Sequence, residues 1–368
     1  MTAKTMPRTL RLLAANPVAA ALAWPHGVDR YLEMVDPLWS LTEVRARVMA
    51  ISPETPDTVT VTLQPNDNWQ GFRAGQYVRV GVTVKGATRT RCYSLSSSPL
   101  RAGGLVDITV KRQPGGLVSN WINERLAVGE VVTLSQAEGD FVLPDRLPAQ
   151  LLFVAGGSGI TPVLSMLRTL DAMDYRGRID ILYFVRRYED VIGVDDLVRL
   201  TDADNRHLHL SLTGEAAQDE DLTGHFDPAV LAAHVPGYQQ ADTWVCGPAA
   251  LIDAVDAHWQ QAGIADRLRI ERFAPAAAGT VHADAQGAVQ FVRSGRQVHS
   301  DGRTLLDQAE AAGLRPEAGC RMGICHSCKC TKASGTVRDI ITGEISSDDN
   351  ESIRLCVSVP VGDVTLDI

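Results

Sequence analysis

"CRMGICHSCKC", Cys320–Cys330, holds four of the seven cysteines in a chain of 368 residues. Cys320, Cys325 and Cys328 stand at C-x4-C-x2-C, and Cys356 follows alone in "RLCVSVP", Arg354–Pro360. Four thiolates in this pattern can converge on iron: a tight loop supplies three, and a distant segment closes the cage. A structural zinc site pairs two close thiols with a second close pair, whereas here the fourth thiol has no near neighbour. A cluster with two histidine ligands is also disfavoured, because His326 is the one histidine inside the loop. Gly319 and Gly323 let the loop curl and turn backbone N–H groups toward the sulfurs. Cys330 is a spare thiol that could replace Cys328 only by lengthening the spacing.

That spacing resembles the plant-type ferredoxin domain, which implies a [2Fe–2S] cluster held by Cys320, Cys325, Cys328 and Cys356. The resemblance spans roughly Ala283–Ile368. Within it, "AVQFVRSGRQVHS" reads as a hairpin turning at Ser294–Gly295, and "TLLDQAEAAG" as a short helix stopped by Gly313. Upstream, "APAAAGTVHADAQG" has no periodicity and reads as a linker.

Two further regions precede the linker. From Leu41 to Leu147 the pattern is β: "VTVTL" alternates, as does "VRVGVTV" with Val78, Val80, Val82 and Val84 on one face. "VDITVKR" and "VVTLS" continue it, and turn residues punctuate the runs, so a barrel is expected. From Pro148 strands alternate with helices. "QLLFVAGG" and "RIDILYFVRR" are buried strands, and "ITPVLSMLRTLDAM" places Val163, Leu167 and Leu170 on one helical face. "DTWVCGPAALIDAVDAHWQQAG" is strand, tight turn and helix, stopped at Gly263. This alternation predicts a parallel, doubly wound sheet. The expected architecture is therefore multi-domain: an N-terminal helical extension (1–40), an antiparallel β-barrel (41–147), an α/β domain (148–275), a linker (276–282) and an α+β β-grasp domain (283–368).

"TRCYSLSSSP", Thr90–Pro99, carries Arg-x-Tyr-Ser. Arg91 is a permanent cation with forked donors suited to a phosphate, Tyr93 offers a flat ring, and Ser94 a hydroxyl. "KRQPGGLVSNWI" follows, with Gly115 and Gly116 opening a helix whose first-turn N–H groups make an anion site. "VAGGSGITP", Val154–Pro162, leaves a buried strand and opens a helix. Gly156, Gly157 and Gly159 allow close backbone approach, Thr161 suits an N-cap and Pro162 the first helical position. "VCGPAAL" ends another strand. "FVRRYEDVI" places Arg186 and Arg187 at a strand's carboxyl end, where a basic residue suits a 2′-phosphate and an acidic one a free 2′-hydroxyl; Glu189 and Asp190 lie close by. Any of these stretches alone reads as ordinary strand, turn or solvated basic pair.

Together they resemble the ferredoxin–NADP reductase superfamily, here fused to the C-terminal ferredoxin domain. The resemblance covers all but the first forty residues and implies FAD, with FMN as the alternative. It also implies NADPH, with NADH as the alternative. Arg91 would hold a flavin phosphate, Tyr93 would stack on the isoalloxazine, and Ser94 would hydrogen-bond near N5. The backbone of Gly116, Leu117, Val118 and Ser119 would take the pyrophosphate. Gly156, Gly157, Gly159 and Thr161 would form the pyridine-nucleotide loop, with Arg186 and Arg187 near the ribose. Cys246, Gly247 and Pro248 would lie beside the nicotinamide, Gly247 leaving room for the ring; a buried strand-end thiol is the other reading of Cys246. Glu271 and Phe273 in "RIERFAP" match a terminal acidic and aromatic segment near the flavin. Tyr93, Ser94 and Cys246 are the residues placed at the chemistry.

The implied activity is electron transfer from NADPH through FAD and the cluster to a partner protein. The domain order and N-terminal extension resemble reductases that serve diiron fatty-acyl desaturases or hydroxylases. Reductases of soluble ring-hydroxylating or epoxidase oxygenases, using NADH, have the same parts. A cluster-based redox sensor or binding module is the reading from another class; the complete flavin and nucleotide motifs speak against it. The net charge of −9 argues against nucleic acid. Clustered, odd-numbered cysteines argue for a reducing, cytoplasmic location. "LLAANPVAAALAW", Leu12–Trp24, is too short to span a bilayer and reads as packed helix or as an interfacial segment at the inner face of a membrane.

Overall fold

The computed structural model describes residues 6–24, 26–84, 86–216, 221–273, 281–319, 321, 323 and 327–368. It forms two compact units, Met1–Arg272 and Phe273–Ile368. The first unit opens with helices α1 (Arg8–Ala14), α2 (Pro17–Leu22) and α3 (Val28–Val35). The expected packing of this extension is only partly realised. Met6, Ala14, Ala23 and Leu32 are buried, whereas Leu12, Leu13, Val18, Leu22, Trp24, Met34 and Val35 face solvent. The helices are too short to bury more than one narrow stripe each.

Strands β1 (Val44–Thr55), β2 (Thr58–Pro65), β3 (Tyr77–Val84), β4 (Ala87–Ser94), β5 (Val106–Lys111) and β6 (Val131–Leu134) follow, with α4 (Leu117–Glu124) between the last two. They pair antiparallel in the order β4-β3-β6-β1-β2-β5. The edge strands then meet: Leu95 bridges Ile108, and the Ser96 N–H donates to the Asp107 carbonyl at 2.8 Å. This closes the barrel and removes the open edges. Val78, Val80 and Val82 are buried in its core with Val61, Leu63, Ile108 and Val110, and Val84 packs on the rim. The period-2 alternation of the sequence is what puts them there.

The α/β part comprises β7 (Gln150–Gly156), α5 (Ile160–Ala172), β8 (Arg178–Val185), α6 (Val194–Thr201), β9 (Arg206–Leu212), β10 (Leu222–Thr223), α7 (Pro228–His234), β11 (Asp242–Gly247), α8 (Ala249–Gln261) and β12 (Leu268–Arg272). The sheet is parallel throughout, in the order β10-β9-β8-β7-β11-β12. The chain runs outward from β7 through β8 and β9, then returns to place β11 on the other side. The carboxyl ends of β7 and β11 therefore flank the switch point, where open α/β sheets bind ligands.

The second unit is a mixed sheet of β13 (Ala288–Phe291), β14 (Arg296–His299), β15 (Lys329–Asp339), β16 (Ile345–Ser346), β17 (Glu351–Arg354) and β18 (Ser358–Leu366), with α9 (Leu305–Ala311) packed on it. β13 and β18 are parallel and the other pairs antiparallel. Gly295, at φ +64°, makes the turn of the β13–β14 hairpin. The linker residues 276–280 lie outside the described residues.

Candidate functional site

Arg91, Tyr93 and Ser94 all lie on β4, where Val80, Val78 and Tyr77 of β3 are their respective register partners. Arg91 donates to the neighbouring Thr90 carbonyl at 2.8 Å, and no carboxylate among the described residues pairs with it. Its charge is open to an anion. Tyr93 packs its ring against the barrel core, and burial pushes its pKa up, so it stays a neutral phenol. Ser94 is buried, and its hydroxyl has no hydrogen-bond partner among the described residues. A buried hydroxyl left unpaired is costly, so a bound acceptor or donor there is the simplest way to satisfy it.

Helix α4 follows β5 and packs against β3, β4 and β5. Its first-turn N–H groups at Leu117, Val118 and Ser119 have no intrahelical acceptor. Two details differ from the sequence reading. The Gly116 N–H is already bonded to the Gln113 carbonyl at 2.9 Å, and the Ser119 hydroxyl accepts from the Gln113 N–H at 3.2 Å. That local turn sets the helix start. Gly115, at φ +69° with open space around it, is the residue that needs to be glycine for conformational reasons. The open cation, the orphan hydroxyl and the uncapped helix start fit FAD.

At the switch point, the end of β7 runs into a one-turn 3-10 helix, Gly157–Gly159, and then α5. A side chain at Gly159 would stand 2.1 Å from the Cys246 carbonyl oxygen, and one at Gly156 would strike Pro248 at 2.6 Å. A side chain at Gly247 would meet the Gly156 nitrogen at 2.9 Å. These three glycines are therefore fixed by the approach of the two turns to each other. Gly157 differs: it has φ +51° and nothing near its missing side chain. Thr161 is not the N-cap. Gly159 holds that position, and Thr161, in the first turn, donates its hydroxyl to the Ser158 carbonyl at 3.0 Å, with Pro162 following it. The short 3-10 turn moves the helix start back by two residues.

Cys246 is fully buried, and burial followed by the neighbouring Glu271 carboxylate pushes its thiol pKa well up. It is a neutral thiol, unsuited to nucleophilic attack. Glu271 is its register partner on β12. That carboxyl is buried, one oxygen has no partner among the described residues, and burial raises its pKa to about 8. A neutral acid and a neutral thiol thus sit side by side at the carboxyl edge of the sheet, where an uncharged ring can be met. Phe273 is half-buried just beyond β12. Arg186 and Arg187 are exposed past the end of β8. Arg187 pairs with Glu189 at 2.9 Å and Asp190 at 3.8 Å, while Arg186 has no ion-pair partner among the described residues. The acidic neighbours compensate one arginine and leave the other open.

Sequence reasoning missed Tyr183. This fully buried phenol donates to the Gly157 carbonyl at 3.1 Å and accepts from the Ile192 N–H at 3.3 Å, anchoring the nucleotide loop. A tyrosine inside the apolar run "ILYFV" was its available signal, because a buried hydroxyl needs a partner.

In the second unit, Cys328 and Cys356 are both buried, and the Leu355 N–H donates to the Cys328 carbonyl at 3.1 Å. The segment before β15 and the end of β17 are thereby held together. The Gly323 N–H points at Cys356 Sγ, 3.3 Å away. Gly323 has φ +76°, and Arg354 clamps its carbonyl at 2.6 Å. Cys330 turns its thiol to the Thr331 carbonyl at 3.3 Å. Cys320 and Cys325 lie outside the described residues. Buried sulfurs with an N–H donor aimed at one of them fit a [2Fe–2S] cluster.

Comparison with known proteins agrees with this division. Residues 46–143 match the oxidoreductase FAD-binding domain, 153–257 the oxidoreductase NAD-binding domain, and 290–361 the 2Fe-2S iron-sulfur cluster binding domain. An NADPH oxidoreductase of Mycobacterium tuberculosis is 38% identical over 359 residues, covering 96% of this chain and 92% of the relative. A glycine betaine monooxygenase reductase subunit of Pseudomonas aeruginosa is 31% identical over 323 residues, covering 80% of this chain and 87% of the relative. The solved structure of phthalate dioxygenase reductase superimposes with a TM-score of 0.59 at 25% identity, covering 89% of this chain and 98% of that one.

Proposed function

Because the chain belongs to the family of FAD- and NAD-binding reductases that carry a C-terminal [2Fe–2S] ferredoxin domain, we propose that it is the NADPH-using reductase component of an oxygenase system. The protein is an NAD(P)H-dependent oxidoreductase of the ferredoxin reductase type. When bound, FAD and the cluster supply the conversion of a two-electron hydride into single electrons. The chain's own residues bind and orient. Arg91 and the first turn of α4 offer charge and N–H groups to a pyrophosphate, and Ser94 offers its hydroxyl to the flavin ring. Gly157 leaves the nucleotide a bare backbone to lie on. Cys246 and neutral Glu271 present an uncharged wall that keeps water and charge from the nicotinamide.

The observation that carries this reading is the orphan Ser94 hydroxyl on the same strand as the unpaired Arg91. NADPH is favoured by the open Arg186 and by the name of the relative that covers nearly the whole chain. An oxygenase as acceptor is supported by the names of the glycine betaine and phthalate relatives. They speak for the oxygenase alternative more than for a desaturase. Anaerobic titration with NADPH, then NADH, tests the core of the proposal. Uptake of about three electrons, two by flavin and one by the cluster, is expected. Bleaching of the flavin with no cluster signal would sink the relay.

A second reading, a diiron desaturase or hydroxylase at a membrane, rests on the N-terminal helices. Leu22 and Trp24 are 81% and 82% exposed, and Met34 is 76% exposed. Two acidic residues of this extension are held inward: Asp36 pairs with Arg47, and Asp29 is bonded by Ser40, Leu41 and Thr42, while Glu33, 43% exposed, lies 3.7 Å from Arg45. The outer surface of these helices is rich in exposed apolar side chains. Among the described residues no helix is long and apolar enough to cross a membrane. Co-sedimentation with phosphatidylglycerol-containing vesicles, lost on removal of residues 1–27, is the expected result for that reading.

A further inference from the structure

Helix α5 springs directly from the nucleotide loop, yet three of its side chains hydrogen-bond to the flavin barrel. Ser165, fully buried, donates to the Ser97 carbonyl at 2.6 Å. Thr169 Oγ1 lies 3.1 Å from Ser98 Oγ. Arg168 donates through Nη1 to the Ser96 carbonyl, and through Nε to Asp196 of α6 at 2.9 Å. The acceptors are the residues that continue β4 past the flavin-facing Ser94. They are also the residues that close the barrel: Ser96 Oγ bonds Thr109 Oγ1 at 2.9 Å, and Ser97 Oγ accepts the Asp107 N–H at 2.9 Å. Ser96–Ser98 is thus fastened to β5 on one side and to α5 on the other. Two outer contacts brace the same seam. The Trp244 indole donates to the Val142 carbonyl at 3.2 Å, and the Gly193 N–H donates to Glu54 at 3.1 Å.

From these contacts we infer that Arg168 is a positioning residue for hydride transfer, setting the nicotinamide loop at a fixed height over the flavin strand. The path is short: the Ser165 bond in it is buried, and those of Arg168 are part-buried. Ser94 is two residues from the Ser96 carbonyl, which Arg168 grips. Arg168 is two turns along α5 from the Gly157–Gly159 turn, which is itself wedged against Cys246 and Gly247. A guanidinium is needed because it holds two partners in one plane at once: the carbonyl of one domain and the Asp196 carboxylate of the other. Burial works to raise the Asp196 pKa, and the Arg168 and Arg199 cations outweigh it, so the carboxylate stays charged and the pair stays formed at neutral pH. Ser165 shares the load as a shorter, neutral strut. Hydride transfer falls steeply with donor–acceptor misplacement, so a seam that shifts slightly costs rate before it costs binding.

The test measures flavin reduction by NADPH in a stopped-flow instrument, on the full-length holoprotein and its Arg168→Ala, Arg168→Lys and Ser165→Ala variants. Each is also assayed for FAD content, melting temperature and the long-wavelength charge-transfer band between reduced nicotinamide and flavin. The wild type in the same run reports the hydride step itself. Arg168→Ala is expected to slow flavin reduction about ten- to a hundredfold at saturating NADPH. The charge-transfer band should weaken, FAD content should hold, and reoxidation of dithionite-reduced flavin through the cluster should be unaltered. Arg168→Lys, which can reach only one partner at a time, should fall between, and Ser165→Ala should show a milder loss. If the alanine variant does not fold, the lysine and Ser165 variants decide. Unchanged rates, or a change confined to KM with the band intact, would overturn the assignment.

Discussion

At the scale of single residues, the site is a set of polar groups left without partners. Among the described residues, the Ser94 hydroxyl and one Glu271 oxygen have no hydrogen-bond partner, and Arg91 and Arg186 have no carboxylate partner. Arg186→Ala should therefore raise the KM for NADPH by about tenfold, equivalent to about 1.4 kcal/mol, and leave the KM for NADH nearly unmoved. Equal losses with both nucleotides would show that Arg186 does not touch the 2′-phosphate. Glu271 gives a pH prediction. Its pKa is raised from 4.5 to about 8 by burial, so the folded chain holds a proton that the unfolded chain releases. Its contribution to stability is fully present below about pH 4.5 and is lost as pH rises toward about 8. The melting temperature of the wild type should fall over that interval more than that of Glu271→Gln, measured in buffers of matched ionic strength. The sequence named all four of these residues, because Arg-x-Tyr-Ser, "FVRRYEDVI" and "RIERFAP" are local patterns. It could not tell that Arg187 is compensated and Arg186 is not, since that depends on which way two neighbouring carboxylates turn.

At the scale of elements, the two turns at the switch point form one object. Gly156, Gly159 and Gly247 are glycine because the ends of β7 and β11 press together, and the sequence reading credited that room to the ligand. Gly159→Ala would place a side chain 2.1 Å from the Cys246 carbonyl oxygen. It should destabilise the first unit by about 1–3 kcal/mol through overpacking. Denaturant unfolding followed by flavin release reads this; a variant as stable as the wild type would mean that the turns can part at little cost. Helix and strand periods were legible here: β7, β8 and β11 are near-continuous apolar runs, and the expected Val163, Leu167 and Leu170 of α5 are buried, although that helix is buried on its other sides as well. The start of α5 was not. Thr161-Pro162 reads as cap and first residue, whereas the Gly157–Gly159 turn supplies an earlier start whose hydrogen bonds no local propensity announces.

At the scale of the whole molecule, the chain joins a hydride-handling unit to a one-electron unit. Cys325→Ala should abolish the cluster's absorbance and cut cytochrome c reduction by about tenfold or more, while NADPH still bleaches the flavin at the normal rate. Full cytochrome c reduction by that variant would mean that electrons leave from the flavin. The sequence by itself determined the three fold classes, and the family resemblance implied a flavin, a nicotinamide nucleotide and a [2Fe–2S] cluster. Strand alternation, helix period, glycine turns and cysteine spacing are all short-range regularities, and each fold needs only its own regularity to be recognised. The tertiary structure alone decided which polar groups stay unpaired, which glycines are demanded by packing, and that α5 ties the nucleotide loop to the strand carrying Ser94. Arg168 and Ser96 are 72 positions apart along the chain. Their bond forms only when the closed barrel and the parallel sheet are both built, because its geometry belongs to the seam between them and to neither segment alone.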